Sequence, residues 1–191
     1  MGRKDLTAER QALILDAAER CIVRYGLQGM TLEQIADEAG INRGLIHHYV
    51  GNREDLLQLM MERLLERYQD SFDAFAANHP TSKETLIDYY FASWFELAPD
   101  DDAIIVALLA ESERDLQIRE MLWSLYARFE NTIYTEIARL FPHTPEEKLH
   151  EAAYSVMLLA FSHATLTWLR LPRAIQTDVR TTAANLLQTL S

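Results

Sequence analysis

Apolar residues recur at helical spacing along almost the whole chain, and no alternating strand pattern extends beyond a few residues. The first apolar stretch predicts a helix from about Thr7 to Tyr25, which ends at Gly26. Glycines and prolines divide the remaining chain into about eight further helical stretches. We therefore predict an all-α protein of about nine helices.

Two of the predicted helices are short and are joined by a tight turn at Gly40. A capping box, in which Thr31 pairs with Gln34, opens the first helix, and Asn42 can cap the second. A further capping box is predicted at residues 81–84, where Thr81 would cap the next bundle helix. The other predicted helices occupy residues 53–78, 81–97, 103–113, 116–141 and 147–170 and the segment after residue 172.

The two short helices form a candidate helix-turn-helix unit. Their apolar residues would pack inward, and the second helix would present polar side chains outward at Asn42, Arg43, His47 and His48. Arginine, asparagine and histidine are suited to phosphate oxygens and base edges. An ordinary helical hairpin within a bundle would show the same spacing, so this pattern alone leaves both interpretations open.

The net charge bears on DNA binding, and it has to be counted separately for the two parts of the chain. The 191 residues include 18 Lys and Arg against 29 Asp and Glu, which gives a net charge of -11. An acidic protein is not expected to bind nucleic acid. Residues 1–53, however, carry seven basic and seven acidic side chains, so the whole excess lies in residues 54–191. The charge therefore does not exclude DNA binding by the first segment.

Other function classes find little support in the sequence. The single cysteine, Cys21, excludes a disulfide framework, and we expect it in the core. The longest apolar run, residues 103–110, is too short to span a membrane. Glu147 and His150 have the spacing of a carboxylate-bridged metal site, but no second Glu-x-x-His motif accompanies them. We therefore predict a cytoplasmic protein that is not an enzyme and has no metal or cofactor.

Residues 29–56 resemble the DNA-binding signature of TetR (tetracycline repressor-like) regulators. The similar features are the opening Thr31, the Ile-Ala-x-x-Ala-Gly segment at 35–40, the His48-Tyr49 pair and the basic-acidic-x-Leu run at 53–56. The family usually has tyrosine, an aromatic residue and lysine where this chain has His47, Val50 and Arg53. The resemblance implies contacts to DNA phosphates and base edges by Thr31, Asn42, Arg43, Gly44, Leu45, His47, His48 and Arg53.

The resemblance also implies two domains with separate roles. Residues 1–52 would form the DNA-binding domain, and residues 53–191 would form a bundle that binds a small-molecule effector and dimerises through its last two helices. A two-fold homodimer would read a pseudo-palindromic operator. The expected function is that of a ligand-responsive repressor released from DNA by its effector. A protein of this fold that uses DNA chiefly to recruit protein partners is the alternative.

The effector site is the least defined part of this expectation. Aromatic residues are frequent in the middle helices, where they would suit a ligand cavity as well as a plain core. The candidates we select for effector binding are Trp94, Glu111, Trp123, Tyr126, Glu130 and His163. The acidic excess would suit a cationic effector, although a solvated acidic surface accounts better for most of the acidic residues.

Overall fold

The computed structural model describes residues 3–93, 101–168 and 178–190. These ranges hold nine α-helices and one π-helical turn, and no strand occurs in them. The helices are α1 (Arg3–Gly29), α2 (Leu32–Ala39), α3 (Arg43–Val50), α4 (Arg53–Ala76), α5 (Lys83–Asp88), α6 (Asp101–Ser112), α7 (Leu116–Leu140), α8 (Glu146–Trp168) and α9 (Val179–Gln188), with the π-helical turn at Tyr89–Ser93. The all-α prediction is confirmed. Within the same ranges, no helix combines the length and low charge that a bilayer crossing requires.

The first helix buries the apolar stripe that its sequence predicts. Ile14, Ala17 and Ala18 are completely buried, and Cys21 is 1% exposed. Burial raises the pKa of the Cys21 thiol, so this side chain is a packed core group rather than a reactive thiolate. Gly26, with φ 71° and ψ 168°, leaves the helical region inside the range of α1, which confirms the predicted break at this residue.

Local capping fixes both ends of the turn between α2 and α3. Gly40 ends α2 with φ 64°, and its amide donates to the carbonyl oxygens of Ala36 and Asp37. Glycine adopts this left-handed conformation without the steric cost that a side chain brings. Asn42 then caps α3, as its Oδ1 accepts a 2.8 Å hydrogen bond from the amide of Gly44. The predicted break and restart of the helix at this turn are confirmed.

The start of α4 is held by a reciprocal pair of side-chain bonds. Oδ1 of Asn52 accepts from the amides of Glu54 and Asp55 at 2.7 and 3.0 Å, and Oδ2 of Asp55 accepts from the Asn52 amide at 2.9 Å. Gly51, which precedes them, has φ +74°. A Cβ at this position would lie 2.2 Å from Oδ2 of Asp55, so only glycine fits beside this cap.

The predicted cap of the next helix is one residue too early. Ser82, not Thr81, is the N-cap of α5, and its Oγ accepts a 3.1 Å hydrogen bond from the amide of Thr85. The predicted helix over residues 81–97 is also not one α-helix in its described part. α5 ends at Asp88 and continues as the π-helical turn at Tyr89–Ser93.

The first compact unit comprises residues 1–67 and 103–122. Within it, α1 packs on α2 and on α3, and these two short helices also pack on each other. The largest buried side chains of this unit are Ile14, Ile35, Ile46, Leu56 and Leu64. The beginning of α4 therefore belongs to the same compact unit as the three helices that precede it. The functional division predicted between residues 52 and 53 stays a prediction.

Ion pairs between α1 and α4 strengthen this first unit. Arg63 bonds the carboxylate of Asp16, and Nη1 of Arg67 lies 2.8 and 3.0 Å from the two carboxylate oxygens of Glu19. The side chains of Arg63 and Arg67 are 27% and 30% exposed. Such partly shielded pairs are less screened than fully exposed ones, so they help to fix α4 against α1.

The second compact unit comprises residues 68–102 and 123–191. Within it, α9 packs on α5 and on α8. A row of aromatic contacts crosses the interior: the Phe129 ring centroid lies 5.0 Å from that of Tyr68 and 5.4 Å from that of Phe161. The largest fully buried side chains of this unit are Tyr90, Leu125, Ile133, Ile137, Val156 and Leu187.

Candidate nucleic-acid interface

The helix-turn-helix predicted from the sequence is present, with its apolar side chains turned inward. Ile35 and Ile46 are completely buried, and Ala36 and Val50 are 3% and 2% exposed. Val50 therefore fills the packing position at which the family usually has an aromatic residue. The other face of α3 is open, since Asn42, Arg43, Gly44, Leu45, His47 and His48 are all exposed. A helix with this arrangement can present side chains to a DNA groove.

Thr31 has its hydrogen bonds satisfied within the protein. Its Oγ1 accepts from the amide of Gln34 at 3.2 Å and donates to Oε1 of Gln34 at 3.1 Å. The same Oε1 accepts from the Thr31 amide at 2.9 Å, which completes the predicted capping box. This arrangement assigns Thr31 a role at the start of α2, while its predicted phosphate contact stays a prediction.

Asn42 also has a local role, because its Oδ1 is the cap of α3. A bidentate contact to adenine uses both the oxygen and the nitrogen of an asparagine amide. Such a contact would compete with the hydrogen bond that Oδ1 of Asn42 accepts from the Gly44 amide. Gly44 itself is close to this cap, as a Cβ there would lie 3.3 Å from Oδ1 of Asn42. The structure therefore supports a positioning role for both residues at the start of α3.

The remaining residues of α3 offer contrasting chemistry on the exposed face. Leu45 is 41% exposed, so its side chain is available for apolar contact with a thymine methyl group. His47 and His48 lie in the last turn, where the ring of His48 contacts that of Tyr49 edge-on at 4.9 Å. Nη1 of Arg43 lies 4.0 Å from Oε2 of Glu33 on α2. The predicted residues of α3 are thus brought together on one surface.

Arg53 is the predicted phosphate contact whose surroundings differ most from expectation. Its Nη2 donates a 2.7 Å hydrogen bond to the carbonyl oxygen of Leu27, just beyond the break in α1. Two of the first-turn amides of α4, which could otherwise help to hold a phosphate, donate instead to Oδ1 of Asn52. Arg53 therefore ties α4 to the end of α1 in this structure.

Sequence reasoning missed a group of charged residues that joins α1 to the helix-turn-helix. Nε of Arg20 lies 2.6 Å and Nη1 of Arg24 lies 3.2 Å from the carboxylate of Glu38, which joins α1 to α2. The bond from Arg20 lowers the pKa of Glu38, with Arg24 adding to the effect. No periodic signal identifies such pairs. The cap at Asn52, by contrast, could have been found from the Asn-x-x-Asp spacing of residues 52–55.

Comparisons with known proteins agree with this geometry. Residues 14–60, which include the whole helix-turn-helix, match the family described as bacterial regulatory proteins, tetR family. The HTH-type transcriptional regulator BetI of Rhizobium meliloti (strain 1021) is 27% identical over 159 residues, covering 82% of this chain and 78% of BetI. The chain belongs to the TetR family. It is a helix-turn-helix transcriptional regulator of that family.

Solved structures of TetR-like regulators show the same fold over nearly the whole chain. A transcriptional regulator from Pseudomonas aeruginosa PAO1 superposes with a TM-score of 0.76 at 19% identity, covering 96% of this chain and 90% of that one. The transcriptional regulator FadR from Bacillus subtilis, solved in complex with stearoyl-CoA, gives a TM-score of 0.67 at 19% identity, covering 94% and 96%. At these identities, the likeness concerns the fold.

Three of the six effector candidates in this TetR-family chain either have surroundings unlike those of a ligand pocket or lie outside the described residues. Trp94 lies outside the described residues. Glu111 belongs to the first compact unit, where its carboxylate accepts hydrogen bonds of 2.8 and 3.1 Å from Nε2 of Gln28. Trp123 is 65% exposed, so in this structure its ring lies on the surface. Their roles in effector binding stay predictions.

The other three candidates lie in the second unit and are better enclosed. Burial raises the pKa of Tyr126, whose ring contacts that of Phe161 edge-on at 4.7 Å. Burial lowers the pKa of His163. Glu130 approaches Nδ1 of His150 at 3.6 Å, and the His150 ring stacks on Tyr134. An aromatic interior that contains Tyr126 is therefore present.

Two small cavities lie elsewhere in the described parts of the chain. One, of about 10 Å³, is lined in the first unit by side chains of α1, α4 and α6 that include Ile22, Met60 and Leu108. The other, of about 30 Å³, is lined in the second unit by residues that include Phe72 and Glu136. None of the five effector candidates among the described residues lines either cavity.

Proposed function

We propose that this regulator binds a pseudo-palindromic operator as a homodimer and is released from it by a small-molecule effector. The observation that carries the proposal is the exposed face of α3, which holds Arg43, Leu45, His47 and His48 within the family-matched segment. Side chains of these types read base edges and hold phosphates when a helix lies in the major groove. The proposal also places the protein in the cytoplasm, where a bacterial regulator meets the DNA that it binds.

The proposed dimer surface lies on α8, one of the last two helices. Tyr154, Leu158 and Leu166 are 50%, 47% and 38% exposed, and the small residues Ser162 and Thr165 are exposed beside them. Positions 154, 158, 162 and 165 follow one face of a helix, so the apolar groups form a stripe. A second copy of this helix can cross such a stripe closely at its small residues.

The proposed effector site lies in the aromatic interior of the second unit. Tyr126, Phe129 and Phe161 meet there at ring-centroid distances of 4.7 and 5.4 Å. An interior lined by aromatic groups with a few polar ones suits a ligand with a largely apolar body. The stearoyl-CoA complex of FadR is an example of effector-sized ligand binding in a protein of the same fold. Release requires that the effector bind the DNA-free arrangement more tightly.

A selection experiment tests the operator and the dimer together. The purified protein is used to select duplexes from a pool with a random central segment, and its mass in solution is measured by light scattering. We expect enriched duplexes with two inverted half-sites, centred about one helical turn or a multiple of it apart, and a mass of twice 22.0 kDa. Enrichment of a single half-site by a protein of 22.0 kDa would contradict the proposal.

A titration tests the release. Candidate effectors are first identified as compounds that raise the thermal unfolding temperature, because a ligand that binds the folded state stabilises it. Each is then added to the protein bound to its selected duplex while fluorescence anisotropy is followed. We expect at least one stabilising compound to weaken DNA binding. Equal DNA affinity with and without every stabilising compound would contradict release by an effector.

A further inference from the structure

Arg43 faces a carboxylate on the neighbouring helix. Nη1 of Arg43, in the first turn of α3, lies 4.0 Å from Oε2 of Glu33, in the first turn of α2. The two side chains are 65% and 73% exposed, so water and ions reach the pair freely. A pair of this kind is weak and exchanges readily with other partners. DNA brought to this surface would compete with Glu33 for the Arg43 guanidinium.

Glu33 also adds negative charge at a position where a phosphate is expected. It follows Thr31, the cap of α2, by two residues and lies at the positive end of that helix. Amides and positive charge at a helix start attract DNA phosphates, and a carboxylate there offsets that attraction. Glu33 is thus placed to oppose phosphate binding beside both Thr31 and Arg43.

Three other arginines of the first unit already have partners within the protein, so using them to offset the charge of Glu33 would break those contacts. Arg20 and Arg24 bond Glu38, and Arg53 bonds the carbonyl oxygen of Leu27. Contacts to phosphate supply the affinity for DNA of any sequence, whereas contacts to base edges depend on sequence. A carboxylate on the DNA-facing surface therefore reduces the first kind of affinity. A bidentate contact between Arg43 and guanine is stronger than the exposed pair with Glu33, so it can replace that pair.

We infer that Glu33 is a specificity-determining residue of this regulator. Its carboxylate pairs weakly with Arg43 and repels phosphates beside it, so that contacts to phosphate alone are weakened while a bidentate base contact still outweighs the pair. The inference rests on the proposed operator binding and deepens it. Glu33 makes no base contact of its own in this scheme. Its effect is to weaken binding to the many unrelated sequences more than binding to the selected one.

The test compares Glu33→Gln with Glu62→Gln. Both substitutions change the net charge equally, but Glu62 is an exposed residue of α4 that accepts a hydrogen bond from Gln58. Fluorescence anisotropy measures the affinity of each variant for a mixed-sequence duplex and for the duplex selected by the wild-type protein, over a series of salt concentrations. We expect Glu33→Gln to tighten binding to the mixed-sequence duplex by about two- to fivefold at low salt. Glu62→Gln should leave it within about 1.5-fold of wild type.

The ratio of the two affinities is the decisive quantity. Glu33→Gln should lower the preference for the selected duplex, and this effect should shrink when Arg43→Ala is also present. An unchanged preference in a folded Glu33→Gln protein, or an equal effect with and without Arg43, would overturn the inference. A wild-type protein that selects no duplex would instead overturn the proposed function. Circular dichroism of each variant shows whether α-helix content and unfolding temperature are retained.

Discussion

The Tyr89 hydroxyl lies 3.2 Å from the carbonyl oxygen of Tyr68, to which it donates, and 3.1 Å from Oγ of Ser71. These contacts tie the first residue of the π-helical turn to α4 within the second compact unit. The side chain is 2% exposed, and burial raises its pKa to about 12. The π-helical turn that follows α5 is therefore held by a buried phenol with polar partners.

Tyr89→Phe tests this tie. The substitution keeps the ring and its packing but leaves the Tyr68 carbonyl without its phenolic donor, so we expect a loss of about 1 kcal/mol in the free energy of unfolding. Tyr25→Phe is the control, because Tyr25 is 44% exposed and lies on α1, not on the proposed dimer surface of α8, so it should lose little. Urea unfolding followed by circular dichroism measures both. Equal stability of the two variants would show that the Tyr89 hydroxyl does not stabilise the fold.

The π-helical turn also shows where sequence patterns stop being informative. Helical spacing and caps are local, so the break at Gly26, the capping box of Thr31 and the turn at Gly40 could all be predicted. The sequence pattern predicts the start of α5 one residue too early, since Thr81 and Ser82 are adjacent hydroxyl residues that both fit an N-cap. The π-helical turn has the same aromatic and apolar composition as an ordinary buried helix, so periodicity cannot distinguish them.

The candidate interface was predictable in its residues but not in their partners. The exposed positions of α3 follow from spacing and from the family resemblance. The bond from Arg53 to the Leu27 carbonyl depends on how the chain turns after Gly26, which brings together residues 26 positions apart. The approach of Arg43 to Glu33 depends in the same way on the packing of α2 on α3. Such long-range pairs leave no periodic signal in the sequence.

Arg53→Ala should weaken DNA binding without changing which sequence is preferred. The guanidinium supports the end of α1 through the Leu27 carbonyl and adds positive charge at the start of α4. Neither effect depends on the base sequence of the DNA. We expect a similar loss of affinity for the selected and the mixed-sequence duplex, with a cost of about 1 kcal/mol in unfolding free energy. Anisotropy titrations and urea unfolding measure these effects. A loss confined to the selected duplex would assign Arg53 to base recognition instead.

Arg43→Ala should reduce both affinity and selectivity. If Arg43 reads a guanine edge, its removal costs about 1–3 kcal/mol on the selected duplex and relaxes the preference at one base pair of each half-site. Arg139→Ala is the control, because Arg139 is an exposed residue of α7 that pairs with Glu136. Repeating the duplex selection with each variant identifies the relaxed position. An unaltered selected sequence would remove Arg43 from base recognition.

The ion pairs of Glu38 with Arg20 and Arg24 should make the free energy of unfolding depend on pH in the acidic range. The pKa of Glu38 is lowered from its ordinary 4.5 in the folded protein, so folding favours the charged form. The contribution of Glu38 to the free energy of unfolding is present above the ordinary pKa and is lost as the pH falls through the lowered pKa of the folded protein. We expect Glu38→Gln to be less stable than wild type at neutral pH, with the difference closing in acid. Urea unfolding over a pH series measures it, and a difference that persists in acid would contradict this assignment.

Leu158→Glu should dissociate the proposed homodimer. Leu158 is 47% exposed on the stripe of α8 that also holds Tyr154, and a charge buried there between two copies would lack a partner. Leu116→Glu is the control, because Leu116 is 68% exposed at the start of α7 and lies off this stripe.

Light scattering should give a mass of 22.0 kDa for Leu158→Glu and twice that for the control and the wild type. The dissociated variant should also bind a selected two-half-site duplex more weakly, since one copy contacts only one half-site. A Leu158→Glu protein that keeps the doubled mass would place the dimer surface elsewhere.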